Sequence, residues 1–193
     1  LVVCESVDQL VDTVRLARQH HVPWMLLGGG CNVLVADQGV RGLVIVNRAT
    51  DITFNGRVVR AEAGVQLATL ARRTVERGMT GLVWASGLPG TVGGAVVGNA
   101  GAFEGDIAAV LRRARLLMPD GQVTQRHNEW FAFDYRLSRV KRVKPGARPV
   151  VLSAAFELQR DDPDAVQARA EEILTWRKTR HPSGATMGST FKN

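Results

Sequence analysis

Two glycine-rich stretches, GGGCN at 28–32 and LPGTVGGAVVGNAGA at 88–102, are the parts of this 193-residue chain best suited to chemistry with an anion. Glycine lets a backbone approach a ligand closely and turn successive N–H groups toward a negative charge. On its own, GGGCN favours the reading of a tight turn between strands. The second stretch is the stronger signal. Pro89-Gly90 sets a turn, Gly93-Gly94 remove side chains where phosphate oxygens would lie, and Asn99 offers amide donors and an acceptor. The Ala and Val residues mixed into it describe a packed loop rather than a floppy one. Neither stretch is a GxGxxG fingerprint, and there is no GxxxxGK. A bound nucleotide would therefore be held without a Rossmann fold or a P-loop, and two glycine loops at strand ends suit a pyrophosphate. Two further polar stretches are YRLS at 135–138 and GSTFKN at 188–193. Taken alone, Arg136 reads as a surface ion-pair partner and Ser189 as a helix or turn cap.

The elements that must position these stretches can be read from spacing. Ser6-Val7-Asp8-Gln9 fits a capping box, and Val7, Leu10, Val11, Val14 and Ala17 follow at helical intervals, with Pro23 closing that region. WMLL (24–27), VLVA (33–36) and LVIV (43–46) are strand candidates. ITFNGRVVRAEAG predicts a hairpin turning at Asn55-Gly56. A helix is expected from Leu67 to Arg77 with Gly78 at its C-terminal cap. Residues 81–106 hold eight glycines and no clear period. RLLMPDGQVTQ predicts a hairpin at Asp120-Gly121, and PVVLSAAFELQ (149–159) a strand. Asp162 and Pro163 start a long helix reaching about Arg180. The expected class is a mixed α+β chain without repeats, with its best boundary near Asp161-Asp162-Pro163.

Composition narrows the function. Hydrophobic residues make up 45% and charged residues 22%, the balance of an ordinary globular protein. No apolar run approaches the roughly 18 residues needed to span a bilayer, so no membrane partner is expected. LVVCESVDQL has neither a basic start nor a cleavage-like site. Two cysteines without a CxxC give no disulfide framework, and a reducing cytoplasm is the expectation. The net charge of +7 is dispersed except in RVKRVKPGAR at 139–148. Without a nucleic-acid motif beside it, that run reads as a solvated loop and no nucleic-acid partner is expected. The positive surface would attract a small anion. His20, His21, His127 and His181 lack the company of a metal site, so no metal is expected.

The order GGGCNVLV, GLPGTVGGAVVGNAGAFEGD, FDYRLS and RKTRHP…GSTFKN resembles the UDP-N-acetylenolpyruvoylglucosamine reductase family over essentially the whole chain. The resemblance implies a two-lobed FAD-binding region of the vanillyl-alcohol-oxidase (PCMH) type over 1–160, with lobes of roughly 1–47 and 48–160. The start of an α/β substrate domain would follow over 161–193. It implies a flavoprotein oxidoreductase of peptidoglycan precursor synthesis and cell-wall biogenesis. NADPH would reduce FAD, and the enolpyruvyl group of UDP-N-acetylglucosamine enolpyruvate would be reduced to UDP-N-acetylmuramate. Gly28, Gly29, Gly30, Cys31, Asn32 and Val33, with Leu88, Pro89, Gly90, Thr91, Gly93 and Gly94, would surround the FAD pyrophosphate. Asn99 and Gly101 would stand in the same wall. Arg136 would bind the substrate carboxylate and steady the enolate-like intermediate, Ser189 would donate the proton, and Tyr135, Lys192 and Asn193 would lie near the substrate. Cys31 stands where the family usually has serine. Family members also have a segment before Ser6 and continue past GSTFKN, where an assisting glutamate is found, so the chain is expected to be part of a longer protein.

Two other readings remain open in the sequence. One is an FAD- or nucleotide-binding module without chemistry of its own. The other is a related flavin oxidase, which would need no proton donor at Ser189.

Overall fold

A computed structural model describes residues 1–181. Strand β1 (Val2–Cys4) leads into helix α1 (Val7–Gln19). The reciprocal cap forms as its residues dictate: Ser6 Oγ accepts the N–H of Gln9 at 3.2 Å, and Gln9 Oε1 accepts the N–H of Glu5 at 2.8 Å. The helix stops before Pro23, because His21 is left-handed (φ +53°) and turns the N–H groups of His21 and Val22 back onto the carbonyls of Arg18 and Ala17. Strands β2 (Trp24–Leu27) and β3 (Leu43–Asn47) complete a parallel sheet of order β1-β3-β2. The stretch 33–36, expected as a strand, is not one: it finds no strand to pair with, and Leu34 is 83% exposed. It belongs to the long crossover that a parallel pair requires.

Strands β4 (Ile52–Asn55) and β5 (Val58–Glu62) form the expected hairpin, but its two central residues are Gly56 and Arg57. Only Gly56 is left-handed, so the turn sits one residue later than Asn55-Gly56 would place it. Helix α2 (Leu67–Val75) ends at a left-handed Gly78, and β6 (Met79–Thr80) follows. The glycine-dense stretch holds more order than its sequence promised: a 3-10 turn at Val83–Ala85, helix α3 (Val92–Gly98), and a hairpin of β7 (Gly101–Ala102) and β8 (Gly105–Asp106). Next come α4 (Ile107–Val110), β9 (Leu111–Leu117), β10 (Val123–His127) and α5 (Arg139–Arg142). The chain closes with β11 (Val150–Glu157), β12 (Gln159–Arg160) and α6 (Pro163–Arg180), whose cap is Asp162.

The antiparallel sheet has the order β10-β9-β11-β5-β4. Its central strand β11 is buried at every position but Glu157. One face carries Val59, Ala61, Ala114, Leu116, Val151, Ala154 and Phe156 into the core under α2 and α3. On the other face Leu117, Val150 and Leu152 pack against Leu10, Val14 and Ile45 of α1 and β3. Arginines reinforce this joint. Arg18 donates to the carbonyls of Met118 (2.6 Å) and Arg148 (3.0 Å), and Arg15 donates to that of Gly121 (2.8 Å). Burial pushes the Arg18 guanidinium pKa down from its ordinary value, with nearby Asp120 opposing the shift. Helix α6 buries Val166, Ala170 and Ile173 against Val75 and Val83. Among the described residues no helix is long and apolar enough to cross a membrane.

Leu152→Ala empties a fully buried position at the joint between the sheets. It should destabilise the protein by roughly 2–5 kcal/mol, read as a lower urea midpoint with an unchanged slope.

Candidate functional site

The glycine loops leave β2 and precede α3, and the fold brings them face to face. A Cβ built on Gly28 would lie 2.2 Å from Thr91 Oγ1, and one on Gly29 would lie 3.7 Å from the Cα of Gly90. The second loop is fastened to the segment that follows β5. Leu67 donates to the Gly90 carbonyl (2.9 Å), Val92 to that of Val65 (2.9 Å) and Gly93 to that of Ala63 (2.9 Å). Gly93 lies so close to Ala63 that an added Cβ would stand 2.9 Å from the Ala63 methyl. Gly30 (φ +69°) and Gly90 (φ +108°) adopt backbone conformations that favour glycine, and neither has another atom within 4 Å of where a Cβ would be. The outcome is a cleft whose walls are largely bare backbone. Cys31, Asn32 and Val33 are exposed on its rim, and the Cys31 thiol lies 3.4 Å from the Gly29 carbonyl. Leu88 is half-buried, and Pro89 is exposed.

Asn99 ends α3 with a left-handed backbone (φ +43°) and is 3% exposed. Its amide nitrogen donates to Asp106 Oδ2 (3.2 Å) and to the Asp134 carbonyl (3.1 Å), while its Oδ1 accepts the N–H of Ala108 (3.0 Å). The Asn99 side chain thus holds neighbouring chain segments together instead of opening toward the cleft. Through Asp134 it reaches YRLS, a tight turn in which Asp134 and Leu137 exchange hydrogen bonds of 3.0 Å. Arg136 is the left-handed residue of that turn (φ +54°). Its Nη2 donates to the Gly101 carbonyl at 2.6 Å and its Nη1 to that of Asn99 at 3.4 Å, and its guanidinium lies over the Tyr135 ring. Ser138 Oγ donates to the Val97 carbonyl at 2.7 Å, so the turn is anchored to α3 at a second point. Tyr135 is 45% exposed. The structure therefore brings Gly28 and Gly29 to Gly90 and Thr91 at the start of α3, and Tyr135 and Arg136 to Asn99 and Gly101 at its end, while Gly30–Val33 are exposed. Ser189, Lys192 and Asn193 lie outside the described residues.

Several participants carried no sequence signal. Phe103 and Glu104, the turn of the β7–β8 hairpin, are both left-handed (φ +47° and +64°) although such turns favour Asn and Gly. Phe103 is held there edge-on to Trp176 of α6, with the Arg177 guanidinium over its ring. Burial pushes the Arg177 pKa down from its ordinary value, and its Nε is buried without a hydrogen-bond partner. Strained backbone at Asn99, Phe103, Glu104 and Arg136 thus gathers at the end of α3, as functional clefts often show. The basic run at 139–148, expected as a solvated loop, is largely exposed, but its first four residues form α5 under a Ser138 cap. Three of its cations are bound to main-chain carbonyls: Lys141 to Arg136 (2.9 Å), Arg142 to Ala132 (2.8 Å) and Arg148 to Val143 (2.7 Å).

Bare glycine backbone, with left-handed Gly30 and Gly90 opening onto free space, makes a cradle able to turn N–H groups toward an anion. A parallel three-stranded sheet packed against an antiparallel five-stranded sheet, with two glycine loops that meet, is an α+β architecture of neither the Rossmann nor the P-loop kind. The chain belongs to the FAD-binding domain family, which it matches over residues 1–125. It is similar to the UDP-N-acetylenolpyruvoylglucosamine reductases of Chloroflexus aurantiacus (39% identical, covering 96% of this chain and 64% of that protein) and Rubrobacter xylanophilus (42% identical, covering 97% and 62%). Its fold is similar to the crystal structure of the corresponding reductase from Thermus caldophilus, with a TM-score of 0.81 and 29% identity over all of this chain and 67% of that one. The chain spans a little under two thirds of the length of these curated relatives. The resemblance carried by the four motifs is thus met by the comparisons.

Asn99→Ala would strand the Asp106 carboxylate, the Asp134 carbonyl and the Ala108 N–H. It should cost about 2–4 kcal/mol, seen as a fall in the unfolding midpoint, whereas an Asn on the protein surface replaced by Ala should stay within about 0.5 kcal/mol.

Proposed function

We propose that this chain is the FAD-binding part of a cytoplasmic, NADPH-dependent reductase that converts UDP-N-acetylglucosamine enolpyruvate to UDP-N-acetylmuramate in peptidoglycan precursor synthesis. The observation that carries the reading is the approach of Gly28 and Gly29 to Thr91 and Gly90, with Arg136 fixed to the far end of the same helix. Pyrophosphate and carboxylate recognition are thereby built on one short element. The relatives, named as UDP-N-acetylenolpyruvoylglucosamine reductases, support the substrate and the reaction. We assign residues 1–47 and 48–160 to the two lobes of the FAD-binding region and 161–193 to the start of the substrate domain.

In this reading Gly28–Val33 and Leu88–Gly94 hold the FAD pyrophosphate, and Gly101 supports the wall beside it. Bound flavin supplies the hydride, drawn from NADPH. Reduction of the enolpyruvyl double bond spreads negative charge onto the substrate carboxylate. A guanidinium stays charged throughout and meets a carboxylate with two parallel hydrogen bonds. The two carbonyls that Arg136 touches occupy only part of its five-donor fork and fix its plane before substrate arrives. Such prior orientation toward developing charge is commonly the largest catalytic contribution. Ser189 donates the proton to the neighbouring carbon, which a hydroxyl can do for a strongly basic carbanion within hydrogen-bond reach. Tyr135, Lys192 and Asn193 line the approach of the substrate.

Titration of FAD into the chain tests the cradle. The flavin spectrum should shift from that of free FAD, and Gly28→Ala, whose Cβ would press on Thr91, should weaken binding by about tenfold or more, roughly 1.4 kcal/mol. Equal affinity in the two proteins would remove the glycine loops from the site. The chemistry is tested in the full-length protein. Ser189→Ala should leave flavin reduction by NADPH nearly intact while slowing sugar reduction by on the order of 100-fold or more. A parallel loss in both half-reactions would refute the proton-donor role.

A further inference from the structure

We propose a second anion site on this protein, distinct from the glycine cradle, that takes the diphosphate group of a small molecule on the open face of the antiparallel sheet. Helix α1 and strand β3 cover only one end of that face, at Leu117, Val150 and Leu152. Beyond them lies a concave pocket of about 390 Å³, within the range of small-ligand sites. None of the residues lining it belongs to 28–33, 88–101 or 135–138.

The pairing of the strands dictates its shape. Ala155 of the central strand β11 stands opposite Arg60 of β5 on one side and Arg113 of β9 on the other. On the next rung Ser153 stands opposite Arg115, which pairs in turn with Gln125 of β10. Small residues in the middle strand thus form the floor of a trough, and arginines on the flanking strands form its walls. Arg112 also lines the pocket, so it holds four arginines and no Asp or Glu, with Thr53, Asn55, Gln125 and Ser153 as further polar groups.

Charge complementarity selects the occupant. Among the described residues, the guanidinium groups of Arg60, Arg113 and Arg115 make no ion pair and donate no hydrogen bond, while that of Arg112 has only a distant partner, Glu157 at 3.8 Å. Glu62, in register with Ser153, forms no ion pair with them; its carboxylate accepts the N–H of Asp51 at 3.1 Å. Elsewhere the protein ties its cations to main-chain carbonyls, as at Arg15, Arg18, Arg142 and Arg148. The pocket arginines are left with their forks unused, and planar forks match phosphate oxygens two at a time. Walls on two strands that each neighbour the same central strand are separated by about two strand spacings, roughly 10 Å. Long side chains leaning inward from both walls would close on an anion of two linked phosphates. The lining has no aromatic ring on which a base could stack, so nucleic acid is not the partner the pocket fits.

The test is calorimetric titration of inorganic pyrophosphate at low salt, with and without saturating FAD. The site predicts one-to-one binding of similar affinity in both states, weakening steeply with added salt. The double variant Arg60→Gln, Arg113→Gln should lose at least tenfold in affinity and leave FAD binding unchanged. Arg115→Gln alone, on the neighbouring rung, should lose affinity to a smaller extent. Pyrophosphate binding that disappears when FAD is present would assign the anion to the glycine cradle and overturn the proposal. So would equal affinity in the double variant and the parent. Binding that is present in this chain but absent from the full-length protein would mean that another segment covers this face. Dimerisation abolished by the double variant would mean that a second copy does. Either result would also overturn it.

Discussion

The buried amide of Asn99 is the contact on which the arrangement of the cleft depends. It stands at the end of α3, and its three hydrogen bonds reach Asp106, Ala108 and Asp134. Those partners start α4, which feeds directly into β9, and open the turn that carries Arg136. One side chain therefore ties the end of α3 both to the start of α4 and to the turn that places the Arg136 guanidinium. In a buried setting each of these bonds is strengthened by the low surrounding dielectric, and each stranded partner is correspondingly costly. Only Asn combines a tolerance for left-handed backbone with two donors and an acceptor on so short a stem.

Much of this fold could be read from local chemistry. Ser6 and Gln9, Asp120-Gly121 and Asp162-Pro163 mark element ends because their side chains or backbone preferences act within a few residues. The structure reproduces each of them. What stayed hidden depends on distant partners. The Val-Leu-Val of 33–35 has every local preference of a strand, yet a strand also needs a neighbour with free backbone groups, and none reaches it. The turn at 103–104 carries Phe and Glu where local rules ask for Asn and Gly. Only the ring of Trp176, some seventy residues away, explains how that conformation is held. The basic run at 139–148 is solvated as read, but its acceptors are carbonyls of its own and neighbouring turns, which no charge pattern reveals.

The cleft was legible to an uneven degree. Glycine density pointed to both loops, but only the contact of Gly28 with Thr91 shows that the two loops meet. Asn99 was legible as a polar group beside a glycine loop, while its inward orientation was not. Arg136 is ordinary in sequence. It stands out in the structure through its left-handed backbone and its grip on two carbonyls, a combination of strain and fixation that surface arginines rarely show. The trough of Arg60, Arg113 and Arg115 could not be anticipated, because register alone places residues fifty positions apart on one face.

The crossover between β2 and β3 joins two parallel strands without a helix, and its first residues form one wall of the cradle. Closing such a loop carries an entropy cost that grows with its length, and its own packing offsets little of that cost because residues 28–40 are exposed throughout. Whatever grips residues 28–32 contributes binding energy to the same small sheet that the loop closes. By mass action the endurance of that sheet becomes a function of ligand concentration as well as of sequence. A cell starved of the ligand would hold a protein whose parallel sheet unfolds more readily, so supply of the ligand would govern how long the chain survives.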